Sequence, residues 1–129
     1  MNTSTPDILV VGGAGYIGSH VVKALRDAGR QPVVFDNLST GLRENLFPEI
    51  PFIHGDLLIP EQVRTAMRGI RSVIHLAALK AAGVSMLEPE RYALNNLNGT
   101  VNLLHAAGTA GVRHFVFSSS AAVYGEPQY

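Results

Sequence analysis

Three glycines at three-residue spacing, Gly12, Gly15 and Gly18, form the pattern in this chain that points most directly to chemistry. They follow the apolar run Ile8–Val11, which is typical of a buried parallel strand, and they precede a helical pattern. Glycine lets the backbone turn sharply and lie close to a ligand, and the first amides of a helix lack partners within the helix. These amides and the helix dipole together favour a phosphate group. The segment is therefore predicted to hold a diphosphate with its backbone.

An acidic residue follows at the distance that nucleotide binding requires. Residues 32–35 predict a second strand, and Asp36 is expected just past its end, about 20 residues beyond the glycines. A carboxylate there binds the hydroxyls of an adenosine ribose and repels a 2′-phosphate, which favours NAD over NADP. Taken singly, Asp36 also suits the cap of a turn that includes Asn37 and Ser39.

The elements that must position these residues alternate between short apolar runs and helical patterns. This alternation predicts an α/β fold, a Rossmann-like, doubly wound parallel sheet of about five strands in the order 3-2-1-4-5. Five sets of residues then share one crevice at the carboxyl edge of the sheet, namely Gly12, Asp36, Asp56, the segment 77–80 and the serines 118–120. Ligands bind at that edge in such sheets, although strand ends are also where loops and polar residues ordinarily lie.

The sequence also predicts bounds and buried faces. Strands are expected at residues 8–11, 32–35, 51–54, 72–76 and 114–117, and helices at 16–28, 60–69 and beyond Pro89. The first helix is expected to bury Ile17, Val21, Ala24, Leu25 and Ala28. The long helix is expected to bury Leu97, Val101, Leu104 and Ala107. Three strand histidines are expected to pack at or near the core without a catalytic role: His54, His75 and His114.

Several single features allow a functional and a structural interpretation. Asp56 either closes a turn or reaches the adenine. Lys80, one of two lysines in the chain, lies either on the surface or against the phosphates or ribose. Ser120 either caps a strand end with its neighbours or binds a substrate hydroxyl. Three asparagines at helical spacing form either a solvated stripe or a set of partnered amides: Asn95, Asn98 and Asn102.

Composition excludes several classes of function. The chain has 129 residues, which suits one domain, and its ten basic residues balance its ten acidic ones. This balance gives no electrostatic footprint for nucleic acid or an anionic membrane. Cysteine is absent, and the histidines lack the spacing of metal ligands, so no metal is expected. Without a signal peptide or a long apolar run, the protein is expected to be cytoplasmic and outside the membrane.

Five segments together resemble the extended short-chain dehydrogenase/reductase superfamily and, within it, the NAD-dependent epimerase/dehydratase family. They are residues 12–20, 36–39, 75–81, 95–100 and 118–125. The segment Leu79-Lys80-Ala81 favours the members that interconvert UDP-glucose and UDP-galactose. The resemblance implies NAD as the cofactor, a UDP-sugar as the substrate and a homodimeric parent protein.

The resemblance also implies roles for individual residues. The glycine turn would bind the diphosphate, Asp36 the ribose, Asp56 and Leu57 the adenine, and Lys80 and Asn95 the nicotinamide side. Ser120 would be the catalytic residue that orients the sugar. The full set of implied cofactor contacts is Gly12, Gly15, Tyr16, Ile17, Gly18, Asp36, Asn37, Asp56, Leu57, Ala77, Ala78, Lys80 and Asn95.

One departure from the family concerns catalysis. Members use a Tyr-x-x-x-Lys pair, whose tyrosine takes the proton of the sugar's 4-hydroxyl while hydride passes from C4 to NAD, and the 129 residues contain no such pair. The chain is therefore expected to be an N-terminal NAD-binding fragment, inactive alone, without the second half of the sheet and the C-terminal substrate domain. Apolar surface is then expected on strand 5 and on the helix after Pro89. The alternatives are another nucleotide-sugar epimerase or dehydratase, or a non-enzymatic NAD-binding module.

Overall fold

One parallel sheet organises the chain. The computed structural model describes residues 6–38, 41–76 and 89–118. Each pair of neighbouring strands is parallel, and the sheet has the order β3-β2-β1-β4-β5. The predicted fold class and strand order are confirmed. The strands are β1 (Ile8–Val11), β2 (Pro32–Asp36), β3 (Phe52–His54), β4 (Ser72–His75) and β5 (His114–Phe117).

Three α-helices and a short 3-10 turn connect these strands within the described ranges. The helices are α1 (Tyr16–Asp27), α2 (Pro60–Ala66) and α3 (Pro89–Ala110), and the 3-10 turn is Arg43–Asn45. Pro60 occupies the first turn of α2, where its missing N–H costs no hydrogen bond. Gly29, with φ of 77°, ends α1 as predicted. Its amide donates to Arg26 O at 3.0 Å and the next amide to Leu25 O at 2.9 Å, which is a Schellman motif.

The two faces of the sheet carry separate apolar clusters because side chains alternate along each strand. Leu9, Val11 and Phe35 lie on the face that α2 and α3 cover, with Met67, which directly follows α2, and Leu103 of α3. On the other face, Ile8, Val10 and Val34 pack with Val22 of α1. β1 lies between β2 and β4 and is buried along its whole length. The glycine turn therefore begins at the centre of the sheet.

The predicted faces of α1 and α3 are each confirmed only in part. Val21 and Leu25 of α1 pack partly buried against the core as predicted, whereas Ala24 and Ala28 are exposed. α1 buries Gly18 and Val22, whereas Ile17 is 52% exposed. Among the α3 residues whose side chains the structure describes, the buried ones are Gly99, Leu103, Ala106 and Ala107. Small residues let a helix approach its neighbours closely, and a Cβ added at Gly99 would lie 3.1 Å from Leu57 Cβ. Ala107 is thus buried as predicted, whereas the other three residues of the predicted stripe are 50% to 60% exposed: Leu97, Val101 and Leu104.

The edge strands are less buried than the sequence suggested. His54 in β3 and His114 in β5 are exposed, so the prediction that they pack near the core is wrong. Both strands have a neighbour on one side only within the described residues. Val116 and Phe117 of β5 are each 56% exposed, and this agrees with the apolar surface expected there.

Candidate functional site at the carboxyl edge of the sheet

The glycine turn links the end of β1 to the start of α1. Gly12 has φ of 88°, which is strained for residues with a Cβ, and its amide donates to Phe35 O at 2.8 Å. The Gly15 amide donates to Gly12 O at 3.2 Å and closes the turn. A Cβ added at Gly18 would lie only 2.1 Å from Gly12 O. Gly18 is thus a glycine because the first turn of α1 lies directly against the loop.

The amides at the start of α1 are open toward the mouth of the turn. The N-cap residue, Gly15, provides no side-chain cap, and the first turn contains no acidic residue. The amides of Tyr16, Ile17 and Gly18 donate to no acceptor among the described residues. Since such amides carry the positive end of the helix dipole, they suit an anion. Tyr16 and Ile17 are also exposed, at 76% and 52%.

Gly15 provides a test of whether the turn suits a bound diphosphate. Its φ of −76° is accessible to any residue, and a Cβ added there would meet only Gly12 O, at 3.4 Å. Neither backbone strain nor crowding within the protein therefore demands glycine at this position. Gly15 is the N-cap residue of α1, so an added methyl group would stand directly before the open amides in the chain. The residues present fit a diphosphate held by the backbone.

Asp36 lies beside the glycine turn. It is the last residue of β2, not the first beyond it as predicted, and it is only 9% exposed. Its Oδ2 accepts the Ala14 N–H at 3.0 Å, and its Oδ1 accepts the Leu38 N–H at 2.8 Å. The carboxylate thus joins the ends of β1 and β2. Each oxygen retains a lone pair for a further donor, such as a ribose hydroxyl.

The end of β3 brings Asp56 and Leu57 to the same edge, mainly in structural contacts. Asp56 Oδ1 accepts the Leu58 N–H at 2.9 Å, and the Asp56 N–H donates to Gln62 Oε1 at 2.8 Å. These bonds fit the turn interpretation of Asp56. Leu57 O accepts Asn102 Nδ2 at 2.8 Å. The predicted adenine contacts of both residues stay predictions.

Asn37 contacts β3 through its backbone carbonyl, and the asparagines of α3 differ in their exposure and partners. His54 Nε2 lies 3.2 Å from Asn37 O, so β3 also contacts the loop after β2. Asn98 is exposed, whereas Asn102 has a backbone partner on Leu57. The two interpretations of the asparagine pattern therefore each hold at one residue. Asn95 lies within α3, but its side chain is outside the described residues.

Several predicted site residues fall outside the described ranges altogether. Their roles stay predictions, and they are Ala77, Ala78, Lys80 and Ser120. The described residues contain no group of three potential metal ligands. They also contain no helix of the length and apolarity that crossing a membrane requires.

His75 is the one strand histidine that packs as predicted. It ends β4, is 3% exposed and contacts the rings of Phe115 and Phe117 edge-on. Its Nε2 lies 3.1 Å from Thr100 Oγ1, and its Nδ1 has no partner among the described residues. Burial lowers the pKa of His75 from 6.5 to about 4, because the charged ring cannot be solvated there.

Sequence reasoning missed two residues that contact the glycine turn. The Leu42 N–H donates to Ala14 O at 3.1 Å, and Asn45 Nδ2 donates to the same oxygen at 2.9 Å. No short motif predicts a contact across 31 positions. The only available signal was Gly41, a glycine in a polar loop with no evident partner.

Comparison with known proteins gives one consistent family. Residues 8–129 match the NAD dependent epimerase/dehydratase family. The UDP-glucose 4-epimerase of Streptomyces lividans is 47% identical over 123 residues, which cover 93% of this chain and 37% of that protein.

Solved structures of epimerases have the same fold. The UDP-glucose 4-epimerase of Thermotoga maritima, solved with UDP-glucose, matches with a TM-score of 0.87 and 39% identity over 95% of this chain and 41% of its own. That of Thermus thermophilus, a complex with NAD, gives 0.84 and 42% identity over 88% and 37%. This chain spans about two fifths of these relatives' length. The family match and this shared fold show that the chain belongs to the NAD-dependent epimerase/dehydratase family.

Proposed function

We propose that this chain is the NAD-binding part of a UDP-glucose 4-epimerase, which interconverts UDP-glucose and UDP-galactose. The observation that carries the proposal is the joined arrangement at the sheet edge. Asp36 bridges the ends of β1 and β2, and the amides of Tyr16, Ile17 and Gly18 open beside it. Ribose and diphosphate are adjacent in NAD, so one ligand satisfies both features.

When bound, NAD supplies the acceptor and then the donor of hydride at C4 of the sugar. The residues of this chain bind and orient it. Asp36 accepts the adenosine ribose hydroxyls and repels a 2′-phosphate, and the first amides of α1 bind the diphosphate. Lys80 and Asn95 are proposed on the nicotinamide side. Ser120 is proposed to hydrogen-bond to the sugar and orient it.

Calorimetric titration with NAD and NADP tests the cofactor assignment. The wild-type protein is expected to prefer NAD, and Asp36→Asn is expected to weaken NAD binding about tenfold or more and to narrow that preference. Asp7→Asn is the matched control, because it makes the same chemical change just before β1, at the opposite edge of the sheet. Equal binding of NAD and NADP by the wild type, or an Asp36→Asn variant that binds like Asp7→Asn, would contradict the proposal.

Catalysis is proposed to require the family's Tyr-x-x-x-Lys pair, which the 129 residues do not contain. The isolated chain is therefore expected to bind NAD without converting UDP-galactose. Turnover by the purified 129-residue chain would contradict this assignment. A longer product of the same gene that binds NAD but epimerises no UDP-sugar would favour a non-enzymatic NAD-binding module.

We also propose that the parent protein is a homodimer that uses α3. Four apolar side chains of α3 are 50% to 60% exposed, namely Leu94, Leu97, Val101 and Leu104. A helix in water seldom leaves such an apolar stripe uncovered. Sedimentation equilibrium of the parent protein tests this proposal. A monomer at micromolar concentration would contradict it.

A further inference from the structure

The carbonyl of Ala14, in the middle of the glycine turn, accepts two hydrogen bonds from residues far along the chain. The Leu42 N–H lies 3.1 Å from this oxygen, and Asn45 Nδ2 lies 2.9 Å from it. The approach is close, since a Cβ added at Gly41 would lie 2.8 Å from Ala14 Cβ. Residues 41–45 therefore form a bracket over the turn, and Asn45 provides its one side-chain contact with Ala14 O.

The bracket is itself anchored on the α1 side of the sheet. Immediately after Asn45, Leu46, Phe47 and Ile50 pack against the cluster that includes Val22. The guanidinium of Arg26 lies 4.5 Å above the Phe47 ring. It also forms an ion pair with Glu49, which lowers the pKa of that carboxyl through their hydrogen bond. Asn45 thus extends from a packed support, which gives its amide group a defined position.

These contacts hold both peptide groups that flank Ala14. The N–H of Ala14 donates to Asp36, its carbonyl accepts from the bracket, and the Gly15 N–H donates to Gly12 O. Rotating the Ala14–Gly15 peptide would break the last two contacts and turn the carbonyl to the side that the Gly15 N–H faces now, at the N-terminus of α1. Its oxygen would then repel an anion. It would also be available to the Gly18 N–H, four residues on, and would consume one open donor.

We propose that Asn45 is a positioning residue for the diphosphate subsite. It holds the Ala14 carbonyl away from the mouth, so the Ala14–Gly15 peptide keeps one orientation and the first amides of α1 stay open. The inference rests on the proposed NAD function. It adds that recognition of the diphosphate depends on a side chain that makes no contact with the ligand.

Binding of two ligands separates this role from a general structural one. ADP-ribose contains the diphosphate, whereas adenosine contains only the part expected at Asp36. Asn45→Ala is expected to weaken ADP-ribose binding about fivefold, the effect of one hydrogen bond, and to leave adenosine binding within twofold. Asn45→Asp keeps the shape but places a carboxylate against the carbonyl, so a larger loss is expected. Asn45→His is expected to restore much of the affinity, because its ring N–H can replace the amide donor.

The measurements are calorimetry for ADP-ribose, NMR titration for adenosine and urea unfolding of each variant. Glu44→Gln, an exposed change in the same 3-10 turn, is the matched control. Equal weakening of both ligands by Asn45→Ala, or unchanged ADP-ribose binding, would overturn the inference. If Asn45→Ala does not fold, the comparison of Asn45→Asp with Asn45→His decides in its place. Failure of the wild type to bind ADP-ribose would instead overturn the proposed function.

Discussion

The glycine turn and the outer edge formed by β5 and α3 belong to one sheet, yet they differ in how completely their groups are satisfied. In the turn, both backbone polar groups of Ala14 and the amide of Gly15 have partners, whereas the amides of Tyr16, Ile17 and Gly18 are open. At the outer edge, Val116 and Phe117 leave more than half of their surface exposed. The turn is thus organised for a small polar ligand, whereas the edge offers an apolar surface that suits further protein.

Gly18→Ala is expected to have the largest effect, because it tests whether the turn is as closely packed as the contacts indicate. The new Cβ would lie 2.1 Å from Gly12 O, so α1 must shift, and the free energy of unfolding should fall by about 3 kcal/mol. Urea unfolding measures this change. Gly108→Ala in α3 is the control, since its Cβ would meet nothing within 4 Å and should stabilise the helix by about 0.5 to 1 kcal/mol. Similar losses in both variants would contradict the comparison.

Acid is expected to act mainly through His75, which lies where the two regions meet. Its pKa is about 4 in the folded protein and 6.5 in the unfolded chain, so the unfolded state binds the proton first. This contribution to stability is complete above pH 6.5 and falls by up to about 3 kcal/mol as the pH approaches 4. The free energy of unfolding, measured with urea across that range, should fall steeply with decreasing pH. His75→Gln should remove this pH dependence. The exposed His105→Gln should keep the slope, and its loss there would contradict the assignment.

Gly15→Ala is expected to separate binding from stability within the turn. Its φ suits alanine and the new Cβ meets only Gly12 O at 3.4 Å, so unfolding should change by less than about 0.5 kcal/mol. NAD affinity should nevertheless fall about tenfold, because the methyl group narrows the mouth. Calorimetry and urea unfolding on the same sample check both statements. Unchanged affinity would show that ligands do not approach Gly15.

The smallest effect on stability is expected at the outer face of α3. Leu97→Lys and Val101→Lys replace side chains that are 60% and 52% exposed, so each should change unfolding by less than about 0.5 kcal/mol. Sedimentation velocity should show that a variant carrying both substitutions self-associates more weakly than the wild-type chain. Leu103→Ala, at a fully buried position of the same helix, should cost about 3 kcal/mol by comparison. If the lysine variants unfold as readily as Leu103→Ala, the orientation of α3 is wrong.

Much of the fold was predictable because it depends on local patterns. β1 and β5 begin and end at the predicted residues, since short runs rich in apolar residues between polar or turn-forming residues suit strands, whether buried like β1 or at an edge like β5. The faces of α1 and α3 were not predictable in the same way. A hydrophobic stripe ranks Ile17 and Leu97 above Gly18 and Gly99, yet close packing selects the small residues.

The site residues likewise fall into those predictable from local spacing and those that depend on tertiary contacts. The glycines and Asp36 follow a spacing that has its own physical reason, so they could be predicted from the residues. The contact of Asn45 with Ala14 could not, because it depends on how a loop 31 residues away folds back over the turn. The hydrogen bond from the Ala14 N–H to the Asp36 carboxylate, across 22 positions, could not be predicted from the sequence either. Tertiary hydrogen bonds of this kind have no local signature.

The Asp36 carboxylate has a second structural role, because it supports the backbone at Leu38. With φ of 62°, it is the only residue other than glycine that has a positive φ within the described ranges. The left-handed conformation costs about 1 kcal/mol, and the Asp36 carboxylate offsets part of this by accepting the Leu38 amide at 2.8 Å. The Asp36 carboxylate thus also stabilises a strained backbone conformation at Leu38. Leu38→Gly would remove that strain, so position 36 could then be substituted to change the preferred nucleotide without destabilising the loop that follows it.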